Sequence, residues 1–264
     1  PGCHPGVRGR RAMNMAVGSP VARFAGHSLE AQARALLMNR VDTKFMIPAH
    51  ELDQCLQGLE REYSMLEIGA ARRFTYDTLY LDTPDSQLYL DHHNGKLNRF
   101  KLRIRHYRQS GESFLEVKKK SNRQRTIKTR LSLTGDGRDP RVINDFLSGQ
   151  FGLPAAGMRP ALFVRYERMT LLRRDGHERV TVDTGLSFQT PDRQHSVALP
   201  GLAIFEIKYD RKASGSPLMA RLAALGYRPV TFSKYCVGRV FLDGDNLKTN
   251  RFKPLLRSVH GICS

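Results

Sequence analysis

The chain has 264 residues, of which 43 are Lys or Arg and 25 are Asp or Glu, so its formal net charge at pH 7 is +18. This excess of cations favours a polyanionic partner: a nucleic acid, an anionic membrane surface or a phosphate-rich small molecule. Hydrophobic residues make up 40% of the chain. No run approaches the roughly 18 apolar residues that span a bilayer, which excludes a helical membrane protein.

The four cysteines, Cys3, Cys55, Cys236 and Cys263, lie far apart in the sequence. Their spacing predicts neither a zinc site nor a disulfide framework, and we expect a reducing, cytoplasmic location. Residues 1–26 are basic at their start and lack the apolar stretch of a secretory signal. We therefore expect a disordered basic leader there and exclude it from the fold.

Alternation of apolar and polar residues with a period of two is the main secondary-structure signal, and it predicts eight strands. In chain order they are 40–47, 73–82, 99–108, 113–120, 126–133, 162–173, 178–186 and 203–210. Helices are predicted in the gaps at 28–38, 48–63, a short segment after Pro84, 139–149, 214–226 and 232–242.

The links between several of these strands are short. QSGES at 109–113 and SNRQR at 121–125 predict an antiparallel meander of the third, fourth and fifth strands, and RRDGHE at 173–178 predicts the next hairpin. Helices between antiparallel strands give an α+β domain, and eight strands are enough to close a small barrel. We predict a single domain over 27–250 and a C-terminal tail at 251–264.

Cations occupy one face of successive predicted strands. In the third strand, Lys101, Arg103 and Arg105 point to one side while Leu102 and Ile104 point to the other. The same alternation places further charged or hydroxyl groups on that side: Asp42, Lys44, Glu116, Lys118, Lys120, Lys128, Arg130, Tyr166, Arg168, Arg179, Asp183, Glu206 and Lys208.

A charge-rich strand face is ordinarily a solvated outer face, and that interpretation stays open. Solvated faces usually mix both signs, however, because like charges opposite each other on neighbouring strands weaken the pairing. Here cations greatly outnumber carboxylates, an arrangement that repels itself unless an anion lies among them. We therefore predict that the strands form an eight-stranded antiparallel β-barrel that encloses a basic tunnel, with the helices packed outside.

A set of ordered motifs resembles a known family. The chain contains, in this order, LYLDTPDSQLYLDHHNGKLNRFKLRIRHY, FLEVKKK, IKTRLSL, VRYERMTL, RVTVDTGL, FEIKYD and FSKY. Together they resemble the VTC-type polyphosphate polymerase domain of the triphosphate tunnel metalloenzyme (CYTH-like) superfamily. The resemblance runs from about residue 40 to residue 242.

The resemblance implies a fold and an activity. The superfamily fold is an eight-stranded antiparallel tunnel with a charged lumen. The implied reaction is transfer of the γ-phosphoryl of ATP to a growing inorganic polyphosphate chain, with Mn²⁺ or Mg²⁺ as cofactor. The implied partners are ATP and polyphosphate, with no nucleic acid expected, and a membrane-protein partner that receives the polymer would associate the enzyme with a membrane.

The resemblance also implies roles for individual residues. Lys234, Arg103, Arg105 and Lys118 match catalytic positions, and Glu206 with Glu116 match metal-binding positions. The substrate-binding positions are Lys44, Lys101, Lys120, Lys128, Arg130, Tyr166, Arg168, Arg179, Lys208 and Ser233.

Alternatives remain for the carboxylates. Glu206 is either a metal ligand or a salt-bridge partner of Lys208, and Glu116 is either a second ligand or a charge partner of Lys118. Asp183 is expected to orient an arginine rather than to bind metal.

Two other functions stay open. The first is a metal-dependent hydrolase of tripolyphosphate or nucleoside triphosphates with the same fold. The first strand, RVDTKF, carries one carboxylate, where many tunnel triphosphatases have a glutamate-rich strand, and this favours the polymerase. The second is a non-catalytic module that binds polyphosphate or nucleic acid. Aromatic residues make up only 8% of the chain, fewer than an interleaved nucleic-acid surface would lead us to expect.

Overall fold

A computed structural model of the chain describes residues 20–34, 40–122, 126–133, 139–153, 157–210 and 215–263. The strands are β1 (Ala25–His27), β2 (Arg40–Pro48), β3 (Tyr63–Leu66), β4 (Phe74–Asp82), β5 (Arg99–Tyr107), β6 (Ser113–Lys120), β7 (Thr126–Ser132), β8 (Arg159–Arg173), β9 (Glu178–Gln189), β10 (Ser196–Leu199) and β11 (Leu202–Asp210). The helices are α1 (Pro20–Arg23), α2 (Leu29–Arg34), α3 (Leu52–Leu56), α4 (Gln87–His93), α5 (Pro140–Phe151), α6 (Pro217–Ala224), α7 (Lys234–Asp243) and α8 (Lys253–Cys263). Short 3₁₀ turns lie at Ala49–Glu51, Gly244–Asn246 and Asn250–Phe252.

All eight predicted strands are present, as β2, β4, β5, β6, β7, β8, β9 and β11. The helix predicted over 48–63 is wrong in length, because α3 ends at Leu56 and the chain then turns at Gly58, whose φ of 82° favours glycine. The residues after this turn form β3, which pairs with β8. All four residues of β3 are buried, so the strand lacks the apolar–polar alternation that sequence reasoning needs.

The sheet is antiparallel along its main path, whose strand order is β2-β11-β9-β8-β4-β5-β6-β7. β3 and β10 extend it by pairing with β8 and β9, and β1 pairs in parallel with β3. The fold is therefore α+β, as predicted. In the described part of the chain the path begins at β2 and ends at β7 without pairing of these two strands, so full closure of the barrel stays a prediction.

The sheet nevertheless curves strongly, as two lysines show. Lys44 on β2 donates to the carbonyl of Phe232 at 2.8 Å, and Lys101 on β5 donates to Oγ of Ser233 at 2.8 Å. Four strands lie between β2 and β5 on the path, yet both side chains reach consecutive residues at the start of α7. The sheet therefore wraps around the N-terminus of this helix.

Helix α7 differs from the prediction that the helices pack outside. Tyr80 lies opposite both Arg103 and Leu162, so all three share one face of the sheet, here called the inner face. The ring of Tyr235 in α7 stacks on Tyr80, and Gly238 of α7 lies directly against Leu162. The helix thus packs on the inner face because that face is apolar in this half, while its other half carries the charges.

The remaining hydrophobic core lies on the outer side of the sheet. One cluster joins β2, β9 and β11 to α3 and α6, and another joins β5 and β6 to α5. Helix α5 is well delimited, since Asp139 accepts a hydrogen bond from the amide of Arg141 at its start and Gly152 ends it with a φ of 63°. These clusters supply the cover that the apolar strand faces require.

The expected leader at 1–26 and the expected tail at 251–264 both contain folded residues. Val21 and Phe24 are buried within the core, although they belong to the expected leader at 1–26. Residues 1–19 of that leader lie outside the described residues. The segment expected as a tail forms α8, whose Val259 is buried. The domain division itself stays a prediction.

Candidate functional site

The cross-strand register brings most predicted site residues onto the inner face. Opposite pairs place their side chains on the same side of a sheet. The pairs that carry charge are Lys208 with Asp42, Glu206 with Lys44, Lys208 with Arg179, Arg168 with Asp183, Arg103 with Glu116, Lys101 with Lys118, Glu116 with Arg130 and Lys118 with Lys128. Because the sheet curves around α7, these side chains face one another across the inner space, and Lys234 joins them from the first turn of the helix.

Glu116 is held by two arginines. Nε of Arg103 donates to Oε2 of Glu116 at 2.6 Å, and a guanidinium nitrogen of Arg105 lies 3.7 Å from the same oxygen. Burial opposes ionisation of Glu116, but both guanidinium groups outweigh it and lower the pKa of the carboxyl. Of the two alternatives stated for Glu116, the structure shows a charge partner, with Arg103 and Arg105 in place of Lys118.

Asp183 joins two cations from different elements. It accepts two hydrogen bonds from Arg168, at 2.6 and 2.8 Å, and a third from Nζ of Lys234. Burial opposes ionisation of this carboxyl, but Arg168 and Lys234 outweigh it and lower its pKa to about 2. The expectation that Asp183 orients an arginine agrees with this geometry.

Glu206 lies against Lys208, whose Nζ is also 3.3 Å from Oδ2 of Asp42. Two carboxylates therefore converge on one ammonium. Burial opposes ionisation of Glu206, but Lys44 and Lys208 outweigh it and hold the pKa of its carboxyl well below the usual range. The salt bridge that the sequence offered as the alternative role of Glu206 is thus present.

Three lysines differ from the paired cations. In the described residues no ion pair joins Lys44, Lys101 or Lys118 to a carboxylate, and the first two donate to neutral oxygens of Phe232 and Ser233. Burial, followed by smaller effects that include repulsion from Lys44, lowers the pKa of Lys101 to about 8. Lys118 is open to solvent, yet desolvation by the surrounding protein and repulsion from Lys101 and Lys44 lower its pKa to about 8 as well.

The N-terminus of α7 adds a further positive end to this group. Ser233 precedes the helix and its hydroxyl accepts from the amide of Cys236 at 3.3 Å while it also accepts from Lys101. Aligned peptide dipoles give a helix N-terminus a partial positive charge, which favours anions. Three lysines that form no ion pair within the described residues, together with this helix end, make an anion-receptive part of the inner face, here called the lysine floor (Lys44, Lys101, Lys118 and Ser233).

An aromatic pair on the inner face contacts three of its cations. The rings of Tyr76 and Tyr166 stack at 5.3 Å between centroids. Arg168 lies 5.2 Å and Lys234 lies 4.6 Å from the centroid of Tyr166, and Arg105 lies 5.3 Å from that of Tyr76. Such contacts stabilise cations over ring faces, so the two tyrosines fix the positions of three predicted phosphate-binding groups.

Some predicted site residues lie apart from this centre. Lys128 and Arg130 are on the terminal strand β7 and are exposed. Lys120 lies at the end of β6 opposite Arg99, and Arg179 lies at the start of β9. These four residues line the periphery of the inner face.

Sequence reasoning missed Tyr76, Tyr80 and the pairing of Asp42. Tyr80 lies near Arg103, with a 3.4 Å contact between its hydroxyl and a guanidinium nitrogen. The alternation of Tyr76, Thr78 and Tyr80 along β4 was visible in the sequence. Aromatic side chains at that period are usually core, however, and no pattern showed that their face is shared with Arg103 and Arg105.

No group of three or more His, Cys, Asp or Glu side chains within the described ranges is arranged to hold a metal ion. The protein donor set nearest to a divalent site is Glu206 with Asp42, which converge on Lys208. A hard cation that bridges phosphates takes only one or two protein carboxylates, so this pair fits such an ion.

Two further features of the described chain are relevant. A cavity of about 1050 Å³ lies on the outer face, against Asp77, Phe163 and Arg165, and none of the predicted site residues lines it. Among the helices of the described residues, none has the length and apolar character to cross a bilayer.

Several solved structures are similar to this chain. They include a candidate adenylate cyclase of Bacillus halodurans (14% identity, 74% of this chain and 94% of that chain covered, TM-score 0.48). They also include a candidate adenylyl cyclase of Hippeastrum described as having a dominant triphosphatase activity (15%, 76% and 95%, TM-score 0.46) and a candidate adenylate cyclase of Vibrio parahaemolyticus (15%, 74% and 94%, TM-score 0.42). Likeness at these scores carries no argument about function.

A search of curated proteins found no match. The VTC domain family, in contrast, matches residues 39–147 and 150–242, which is most of the chain and includes β2 to β11 and α7. The inner face with its lysine floor thus lies within the matched residues, and the chain belongs to the VTC domain family.

Proposed function

We propose that this protein is a polyphosphate polymerase that transfers the γ-phosphoryl of ATP to a growing polyphosphate chain. The observation that carries the proposal is the lysine floor, where Lys44 and Lys101 contact the residues at the N-terminus of α7 and Lys118 lies opposite Lys101; within the described residues none of the three forms an ion pair with a carboxylate. Such a group favours a ligand with closely spaced negative charges. Membership of the VTC domain family supports the same substrate class.

The chemistry suits the residue types present. Phosphoryl transfer requires in-line positioning and cations that neutralise charge on the transferred group and the leaving oxygen, and little covalent help from the protein. Arg103 and Arg105 offer planar donors whose orientation is already fixed by Glu116. Ser233 of the lysine floor and Lys234, which follows it in α7, are the groups that we assign to the transferred phosphate.

A divalent metal, Mn²⁺ or Mg²⁺, belongs to the proposal, and Glu206 with Asp42 would hold it. When bound, such an ion would neutralise part of the charge on the phosphates. Glu116 and Asp183 are engaged by arginines, and Glu206 with Asp42 contact the ammonium of Lys208, which an ion held by this pair would have to displace. Few carboxylates are therefore available to activate water, which favours transfer to a phosphate acceptor over hydrolysis.

The test is to incubate the purified protein with ATP and Mn²⁺, resolve polyphosphate on a gel and assay free phosphate in parallel. Long chains with ADP and little free phosphate are the expected result. Phosphate release without chains would replace the proposal with a tunnel hydrolase. If neither polyphosphate nor free phosphate forms, the result contradicts an enzyme of this kind and favours a module that only binds polyanions.

Matched variants connect the activity to the site. Lys234→Ala is expected to lower turnover by about 100-fold or more, the usual effect of removing a group that stabilises transition-state charge. Lys253→Ala changes an exposed lysine of α8 and should leave turnover unchanged. Equal turnover of the two variants would contradict the catalytic role assigned to Lys234, provided that circular dichroism shows both variants to be folded.

A further inference from the structure

Asp183 occupies an unusual place on the inner face, between a strand arginine and a helix lysine. It is 1% exposed and accepts a paired hydrogen bond from Arg168 on β8 together with one from Lys234 on α7. A second carboxylate, Asp82 at the end of β4, lies 4.0 Å from Arg239 farther along α7, but Asp183 is the one that holds Lys234, the first residue of the helix. Its contacts therefore set where the Lys234 ammonium lies relative to the arginine.

The two cations remain accessible to a ligand. The side chains of Arg168 and Lys234 are 15% and 14% exposed, and both also lie over the ring of Tyr166. The guanidinium fork is fixed by two parallel hydrogen bonds, an arrangement with strong geometric preference. A phosphate that approached would find both groups already oriented, without reorganisation at the moment of reaction.

The same carboxylate opposes binding of a polyanion. Asp183 is ionised throughout the physiological range, because Arg168 and Lys234 hold its pKa near 2 against the effect of burial. Its negative charge competes with phosphate oxygens for the same two cations in a poorly solvated region. Asp183 thus improves the orientation of Arg168 and Lys234 but lowers their affinity for phosphate.

We propose that Asp183 is a positioning residue, which fixes Lys234 and Arg168 for phosphoryl transfer while it weakens binding of the phosphate chain in the ground state. The statement about turnover rests on the proposed function, whereas the statement about binding does not. Interactions that favour the transition state over the bound substrate are those that raise turnover. A carboxylate that orients the cations and repels the bound substrate favours the transition state over the bound substrate in this way.

The experiment compares Asp183→Asn with the unchanged protein. Calorimetric titration with inorganic tripolyphosphate measures binding, and ATP turnover in Mn²⁺ measures kcat and KM separately. We expect Asp183→Asn to lower the Kd for tripolyphosphate about tenfold, which corresponds to about 1.4 kcal/mol, and to lower kcat about tenfold or more. If Asp183 had only a structural role, its substitution would not tighten the binding of tripolyphosphate.

Asp77 provides a matched control. It also binds two arginines, Arg165 at 2.6 Å and Arg108 at 2.5 Å, but on the outer face of the sheet. Asp77→Asn should change neither Kd nor kcat. Weaker or unchanged tripolyphosphate binding by Asp183→Asn overturns the proposal, and so does an unchanged kcat.

A second variant covers the case in which Asp183→Asn does not fold. Asp183→Glu keeps the charge and displaces it by one methylene, so we expect an unchanged Kd and a lower kcat; a Kd that changes tenfold or a kcat that stays the same contradicts the proposal. If the unchanged protein shows no turnover, the proposed function fails. The binding comparison then decides alone whether Asp183 opposes polyanion binding.

Discussion

At the scale of single residues, the cations of the inner face fall into two kinds. Arg103, Arg168 and Lys208 each have a carboxylate partner, which fixes the direction of the side chain. Lys44, Lys101 and Lys118 form no ion pair with a carboxylate within the described residues, and burial lowers the pKa of each. Lys101 and Lys118, each with a pKa of about 8, change their protonation near physiological pH.

This difference predicts how binding depends on pH. A phosphate chain favours the ammonium form, so the affinity is fully present below pH 8 and falls as the pH rises through the pKa of about 8 for Lys101 and Lys118. We expect the affinity for tripolyphosphate to fall at least about tenfold between about pH 7 and about pH 9.5. Calorimetric titration across this range measures the change.

The control for the pH prediction is Lys101→Met, which removes one titrating ammonium and keeps an unbranched side chain that is one atom shorter. The titration of tripolyphosphate itself is common to both proteins, so the difference between their pH profiles isolates the lysine. The variant should bind more weakly at about pH 7 and lose less affinity on the way to about pH 9.5. Parallel profiles would show that Lys101 stays charged throughout.

At the scale of elements, α7 determines whether the inner face can work as a site. Gly238 allows its close approach, since a Cβ there would lie 2.4 Å from Phe188 and 2.7 Å from Leu162. Both neighbours are buried, at 1% and 0% exposure, so neither can move away easily. The approach brings Ser233 and Lys234 to the lysine floor.

Gly238→Ala should therefore destabilise the fold. Overpacking of a buried site typically costs about 1 to 3 kcal/mol of the free energy of unfolding, which urea denaturation measures. Gly261→Ala in α8 is the control, because no atom lies within 4 Å of the added Cβ and alanine favours a helix by roughly 1 kcal/mol. The prediction fails if Gly238→Ala is as stable as Gly261→Ala.

A buried hydrogen-bond network at Tyr235 also fixes the position of α7. The Tyr235 hydroxyl donates to Oδ2 of Asp82, which also accepts from the amide of Tyr89 at 3.0 Å, while Oδ1 accepts from the amide of Leu88 at 2.8 Å. One carboxylate, 1% exposed, thus joins the end of β4 to α4 and α7. The position of Lys234, which precedes Tyr235, depends on this junction.

Tyr235→Phe tests the junction. Loss of a buried hydrogen bond to a charged acceptor should lower the free energy of unfolding by about 1 to 3 kcal/mol, measured by urea denaturation. Tyr107→Phe is the matched control on β5, since no hydrogen bond of its hydroxyl is found within the described ranges, and its effect should be below about 0.5 kcal/mol. Equal effects of the two variants would show that the junction adds no stability.

At the scale of the whole molecule, the net charge is +18, and the lysines of the inner face that belong to it repel one another. Binding of a polyanion to the native state alone stabilises that state by mass action, by about 2.7 kcal/mol at a hundredfold excess over Kd. For a chain of this size we expect tripolyphosphate to raise Tm by roughly 5 to 10 °C. Differential scanning fluorimetry measures this shift.

Ionic strength separates specific binding from general screening. Sodium chloride at equal ionic strength should give a much smaller shift in Tm, because chloride cannot engage several cations at once. The Arg103→Ala variant should lose most of the tripolyphosphate effect, whereas Asp77→Asn should retain it. An equal shift with both salts would mean that the inner face has no specific polyanion site.

The sequence alone determined the eight strands of the main path and the sharing of one face by their cations. Both follow from local alternation: a strand places every second residue on the same side, and charged side chains mark that side without knowledge of the fold. The motifs added the family and the candidate residues Arg103, Lys118 and Glu206. These properties depend on residues close together in the chain.

Tertiary structure decided the rest, because it depends on contacts between distant residues. Only the curvature of the sheet brings Lys44 and Lys101 to consecutive residues at the start of α7. Which cation binds which carboxylate also depends on register and helix position, as Asp183 with Lys234 shows. Alternation assigns a side chain to a face, but it contains no information about what lies opposite across the inner space.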